Sequence, residues 1–158
     1  MNKRVKFICH AALIAAVYVL LTYLAAAMGL SSGVIQVRFS EALCILPYFT
    51  AAAIPGVTVG CLLANLFTGC ALWDIVFGTL ATLIGAMCAY YLKNYKWLVP
   101  LPSVLSNTVI IPFVLKTVYG APEAHMFLVL TVGIGEVISI YGLGMPLLFA
   151  IRKRNLFK

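Results

Sequence analysis

SEALCILPYFTAAAIPGVTVGCLLANLFTG, residues 40–69, is a run of 30 mostly apolar residues, and the number of helices inside it decides the fold. An α-helix rises 1.5 Å per residue and the hydrocarbon core of a bilayer is about 30 Å thick, so one span takes about 20 residues. This run is too long for one helix and too short for two full ones. Pro55-Gly56 stands in its middle as a turn signal, with the proline suited to open a second helix.

The flanking segments let charge choose between one helix and two. The other apolar runs are 7–29, 72–92, 97–119 and 124–151. Two helices in 40–69 make six spans, which puts both basic ends and the break holding Lys93 and Lys96 on one side. Nine of the eleven Lys and Arg then lie together, leaving only Arg38 and Lys116 opposite. A single helix would set the basic termini on opposite faces, against the tendency of Lys and Arg to gather on the cytoplasmic side. The expectation is an all-α, six-helix integral membrane protein with both termini cytoplasmic in the cell membrane. Helices of about 14 residues reach only about 21 Å. The short pair must therefore rest on neighbours or leave a pocket, which this topology opens near the outer face. Segment 30–39, LSSGVIQVRF, forms the outer loop above it. Its near-alternation of Val34, Val37 and Phe39 with Gln36 and Arg38 reads as a short strand or lid.

Composition excludes several classes. Apolar residues make up 64% and charged residues 9% of the chain, against about 45–50% and about 25% in soluble domains. The 158 residues therefore read as one membrane domain. Its net charge of +7 sits at the two ends and in one short loop, not along a groove that would take nucleic acid. Cys9, Cys44, Cys61, Cys70 and Cys88 all fall in apolar runs with no C-x-x-C pair, and read as small core fillers rather than a disulfide or metal site. The stretch Phe7–Gly29 is longer than the apolar region of a signal peptide and is read as a mature helix. No catalytic or nucleotide-binding motif is present, so the chain is not expected to be an enzyme or to carry a cofactor. ATP-driven work would need another subunit.

The four acids then become the informative residues. A carboxylate at a helix centre costs about 2.5–3.5 kcal/mol on insertion scales, so such groups face a cavity or a partner. Ser40 is suited to cap the second helix, with Glu41 in its first turn, and Asp74 to cap the fourth. Glu136 has no such structural reason. It lies about a dozen residues into the last span in VGIGEVISIYGLG, with Gly133 and Ser139 one turn away on either side. Glu41, Ile45 and Tyr48 share a helical face; Asn65 with Thr68, Asn107 with Ser103, and Trp73 beside Asp74 add amides and aromatic rings. The amides serve equally well as ordinary hydrogen bonds between helices. Taken as a site, the set suits a small, planar, donor-rich and cationic ligand: carboxylates accept N–H groups, amides read a mixed edge, and rings stack. Arg38 stands three residues before Glu41, as a gate at the mouth or simply an ion pair at a helix start. In the first helix, Ala11/Ala15 and Ala12/Ala16 have the small-x-x-x-small spacing that permits close approach, either by a partner helix or within the bundle.

The stretches IQVRFSEALCILPYF, AAIPGVTVGCLLANLFTG, DIVFGTLATLIGA, WLVPLPSVLSNTVIIP and VGIGEVISIYGLGMPLL resemble the queuosine-precursor transporter (QueT) family. That resemblance implies an S component of an energy-coupling factor transporter: six helices, a loop-covered site near the outer face, and alanine motifs docking on a transmembrane coupling subunit that carries two ABC ATPases. It also implies a 7-deazaguanine ligand: a pre-queuosine base such as 7-aminomethyl-7-deazaguanine, or queuine or queuosine. One carboxylate would take the 2-amino and N1–H edge and a second the aminomethyl cation, with Glu136 and Glu41 first and Asp74 in reserve. Two other readings compete. A self-sufficient secondary transporter would be unusually small and without an evident inverted repeat. A membrane enzyme using acids as metal ligands would need clustered Asp or His.

Overall fold

The computed structural model describes residues 2–30 and 35–154. Six helices follow one another there, with no strand among the described residues. They are α1 (Lys3–Ala27), a 3-10 helix (Phe39–Tyr48), α2 (Ala53–Phe67), α3 (Leu72–Tyr91), α4 (Leu101–Thr117) and α5 (His125–Arg154). The last runs through a π-helical stretch at Val137–Gly144. Three of them, α1, α3 and α5, are long and apolar enough to cross a membrane. The 30-residue run does divide in two, with the turn at residues 49–52 and Pro55 inside the first turn of α2.

The short helices survive by burial. The 3-10 helix has eight of its ten residues buried, from Ser40 to Pro47, and packs against α1, α2, α3 and α5. Pro47 has no N–H to give a helix ladder, so its place is held by packing instead. Large apolar side chains such as Leu13, Val109 and Met126 point outward with more than 60% exposure. In a membrane protein that surface meets lipid, which needs no polar cover.

Small residues set the helix directions. A Cβ at Gly56 would meet Ile14 and Ala11 O, and one at Gly60 would meet Tyr18 and Ala15, so α1 and α2 run parallel in close contact. Gly85 lies against Ser103 and Gly78 near Ile111, which makes α3 and α4 antiparallel. Gly135 touches Gln36 and Gly144 touches Ala42 and Ile45, so α5 descends beside the 3-10 helix. Gly133 near Thr108 closes the circuit through α4. Lys3 and Arg154 consequently lie at one end with the 92–100 loop, as the charge argument required. At the opposite end, α1 and α2 both stop in Schellman turns. Gly29 (φ 73°) and Gly69 (φ 74°) take the left-handed conformation that other residues resist. Leu30 N–H reaches Ala25 O and Cys70 N–H reaches Asn65 O, at 3.0 and 3.1 Å.

Three local expectations are corrected. The described part of the 30–39 segment is not a strand: Arg38 is extended, with φ −110° and ψ 108°, and the helix begins at Phe39. Residues 31–34, including Val34, lie outside the described residues. Ser40 is not the cap, because the helix starts one residue before it, and its buried hydroxyl has no hydrogen-bond partner. Asp74 is not the cap of α3 either; Ala71 holds that position and Asp74 sits in the first turn.

Candidate functional site

Glu41 is 2% exposed and both its oxygens are engaged by the protein. Tyr18 O–H donates to Oε1 at 2.6 Å and Cys44 S–H approaches Oε2 at 3.2 Å. The Cys44 contact follows from the 3-10 repeat of three residues per turn, which aligns Glu41 with Cys44 and not with Ile45. Tyr18 comes from the buried face of α1 and was not singled out in the sequence, where nothing in its spacing ties it to residue 41.

Glu136 differs. It is 7% exposed, and its Oε2 is buried with no hydrogen-bond partner. The Asn107 side chain on α4 and the Arg38 charge both favour the carboxylate, while Glu41 repels it. Gly135, immediately before, lets the Gln36 backbone press against α5. Ser139 Oγ, one turn after, accepts from Arg38 N–H at 3.1 Å and donates to Gly135 O at 2.8 Å. The 35–38 segment is thus pinned beside Glu136 by its backbone.

Arg38 is half-buried, and its charge acts on three carboxylates: Glu41 most strongly, then Glu136, and Asp74 least. Among the described residues it makes no ion pair with Glu41 within 4.0 Å. The reason is the extended backbone at residue 38, which takes it out of the helical register that three-residue spacing would otherwise impose. Its Nη2 donates to Gln36 Oε1 at 3.4 Å instead. Arg38 also lines a cavity of about 160 Å³ with Thr22, Ala25, Asn65, Thr68 and Cys70, at the end of the bundle away from the basic termini.

The remaining candidates separate. Asn65 shares that cavity and donates to Cys61 Sγ at 3.6 Å. Asp74 is buried and accepts the Tyr119 hydroxyl at 3.1 Å, and the same hydroxyl accepts from Ala71 N–H at 3.1 Å. Partial burial and the neighbouring Asp74 hold the Tyr119 phenol above its usual pKa. This clasp ties the start of α3 to the loop after α4. Trp73 is 57% exposed and stacks on Phe77, turned away from the carboxylates. Tyr48 lies at the other end of the 3-10 helix, in a hollow with Asn94, Lys96 and Arg152. Of the alanine pairs, Ala11 and Ala15 are spent against Gly56 and Gly60 of α2, whereas Ala12 and Ala16 face outward.

Glu41, Glu136 and Arg38 together carry one more negative than positive unit when ionised. Such a centre can accept hydrogen bonds and hold a cation.

Comparison with known proteins gives the family. The model described as QueT transporter matches residues 8–153. Within the chain, 73 residues are 38% identical to the queuosine precursor transporter QueT of Lactococcus lactis subsp. cremoris (strain MG1363), covering 46% of this chain and 43% of that protein. No solved structure matches. The chain belongs to the QueT transporter family, which is a family of transporters and not of enzymes.

Proposed function

We propose that this chain is the membrane-embedded substrate-binding subunit of an energy-coupling factor importer, and that it takes up queuosine precursors of the 7-deazaguanine class. The observation that carries this reading is Glu136 Oε2, a buried carboxylate oxygen with no partner, next to a second carboxylate and an arginine. Burying such an acceptor unpaired is costly, and a ligand offering N–H donors and a cation would relieve it. Glu136 and Asn107 would read the donor-rich edge, and the excess negative charge would match an aminomethyl cation. The cavity that Arg38 and Asn65 line is smaller than the about 300–1,000 Å³ usual for ligand pockets. Binding would therefore swing the Arg38 guanidinium aside and exchange its charge for that of the ligand, so Arg38 acts as the gate. The basic termini would face the cytoplasm. The outward Ala12/Ala16 pair is the part of the alanine motif open to a coupling subunit, which with two ABC ATPases would supply the energy.

The test is calorimetry on the purified chain with 7-aminomethyl-7-deazaguanine, guanine and queuine. The expected outcome is saturable binding of a 7-deazaguanine in preference to guanine, weakened about 10- to 100-fold in Glu136→Gln, as befits loss of a charged hydrogen-bond acceptor. Folded protein that binds none of the three would remove the ligand assignment. Uptake by the chain alone in vesicles, driven by an ion gradient without partner subunits, would establish the secondary-transporter reading in its place.

A further inference from the structure

The end of the bundle opposite the site holds a second concavity that the transport reading does not use. Its lining includes Tyr48, Asn94, Tyr95, Lys96, Trp97 and Arg152, and its volume is about 390 Å³. Three chain segments build it: the end of the 3-10 helix, the 92–100 loop and the end of α5. Tyr141 on α5 donates to Trp97 O at 3.0 Å, fixing the 92–100 loop against α5. Trp97 then packs edge-on to Phe149, with ring centroids 5.8 Å apart. Lys96 Nζ lies over both rings, 5.9 Å from Trp97 and 5.4 Å from Phe149.

Three independent features point to one kind of ligand. The first is charge without neutralisation. Lys93, Lys96, Arg152, Lys153 and Arg154 gather at this end, whereas Asp74 and Glu123 lie at the other and Glu41 and Glu136 inside. Among the described residues no ion pair neutralises Lys96 or Arg152. The second is depth. Tyr91, Tyr95 and Trp97 are 77%, 65% and 58% exposed. Exposed Tyr and Trp at one level of a membrane protein mark the headgroup layer, where their rings are half in lipid. The third is shape: an open hollow where the 92–100 loop meets two helix ends, with two cations at its rim and hydroxyl, amide and indole donors around them.

We propose that this hollow binds the phosphate headgroup of an anionic phospholipid, with Lys96 and Arg152 on the phosphate and Asn94 and Tyr95 on the polar headgroup. Basic pockets between spans take anionic headgroups by this chemistry. The acyl chains would follow the exposed apolar faces of α3 and α5. The ligand would tether the 92–100 loop and the end of α5 as one unit at the membrane surface.

The chain has two tryptophans, so in Trp73→Phe the emission reports Trp97 alone. That protein is placed in phosphatidylcholine vesicles with a small fraction of brominated phosphatidylglycerol, or the same fraction of brominated phosphatidylcholine. The anionic lipid is expected to reach half-maximal quenching at about tenfold lower mole fraction. Adding Lys96→Gln and Arg152→Gln should erase that preference, and adding Lys3→Gln and Lys6→Gln, which removes equal charge from the same end, should retain most of it. Equal quenching by the two lipids in the Trp73→Phe protein overturns the proposal without recourse to the other variants, and is the result expected if the hollow serves an acidic protein segment. A preference that survives Lys96→Gln/Arg152→Gln overturns it as well, by assigning the effect to general charge. Soluble glycerol phosphate at millimolar concentration should not relieve the quenching; if it does, the site reads free phosphate and the lipid assignment fails.

Discussion

Glu41 and Glu136 have the same side chain and similar burial, yet their surroundings separate their roles. Tyr18 and Cys44 occupy both oxygens of Glu41, so this acid is held by the fold. Glu136 keeps one oxygen unpaired. The two should respond oppositely to substitution. Tyr18→Phe removes the donor at 2.6 Å from a buried carboxylate, and is expected to cost about 1–3 kcal/mol of stability. Glu136→Gln removes charge from a desolvated position and should leave the thermal midpoint equal or higher while ligand binding falls. Thermal unfolding of both variants in detergent checks this; a Glu136→Gln protein less stable than Tyr18→Phe would make Glu136 the structural acid. Glu136 stood out in the sequence because an acid in mid-span is expensive. The support of Glu41 did not, because a 3-10 repeat replaced the α-helical face assumed for Glu41, Ile45 and Tyr48. That change brought Cys44 under the carboxylate and left Tyr48 at the far end.

The helices themselves were legible to within a few residues, since apolar run length, Pro55 and the basic clusters are direct physical constraints on a chain in lipid. What apolar runs do not encode is which faces touch. That information resides in glycines whose missing side chains become contacts only after assembly. Between α1 and α2, Gly60 is the tighter of the two glycines: an added Cβ would lie 2.6 Å from Tyr18 Cβ and 3.1 Å from Ala15 Cα. Neither atom can turn away, so α1 and α2 would have to part. Gly60→Ala is expected to destabilise the protein by about 1–3 kcal/mol, the usual cost of overpacking, and to disturb Glu41 through Tyr18. Gly142 lies on the outer face of α5 with nothing within 4 Å of an added Cβ. Gly142→Ala should be neutral or stabilising by up to about 1 kcal/mol, from helix propensity alone. Thermal midpoints of the two variants measure the difference, and equal losses would mean that the α1–α2 contact is looser than its geometry states.

At the scale of the whole molecule the charge asymmetry and the site lie at opposite ends, and one cysteine can report both. Cys9 and Cys88 are exposed on helix faces toward the basic end, Cys44 and Cys61 are buried, and Cys70 is partly exposed in the turn after α2. Only Cys70 of the five lines the cavity shared by Arg38 and Asn65, with its sulfur 3.4 Å from Thr68 Oγ1. A charged maleimide reaches thiols in water and not those facing lipid or core. If the basic termini are cytoplasmic, as positive charge directs, intact cells carrying the protein should take up the label, and Cys70→Ser should abolish it. Labelling that appears only after the cells are lysed would invert the orientation and place the cavity on the inner side. The same thiol then tests the site: a ligand that fills the space beside Arg38 should slow Cys70 labelling in the wild type, and Glu136→Gln should remove that protection without changing the rate in the free protein. Protection that persists in Glu136→Gln would separate the cavity from the carboxylates and leave Arg38 as their only shared residue.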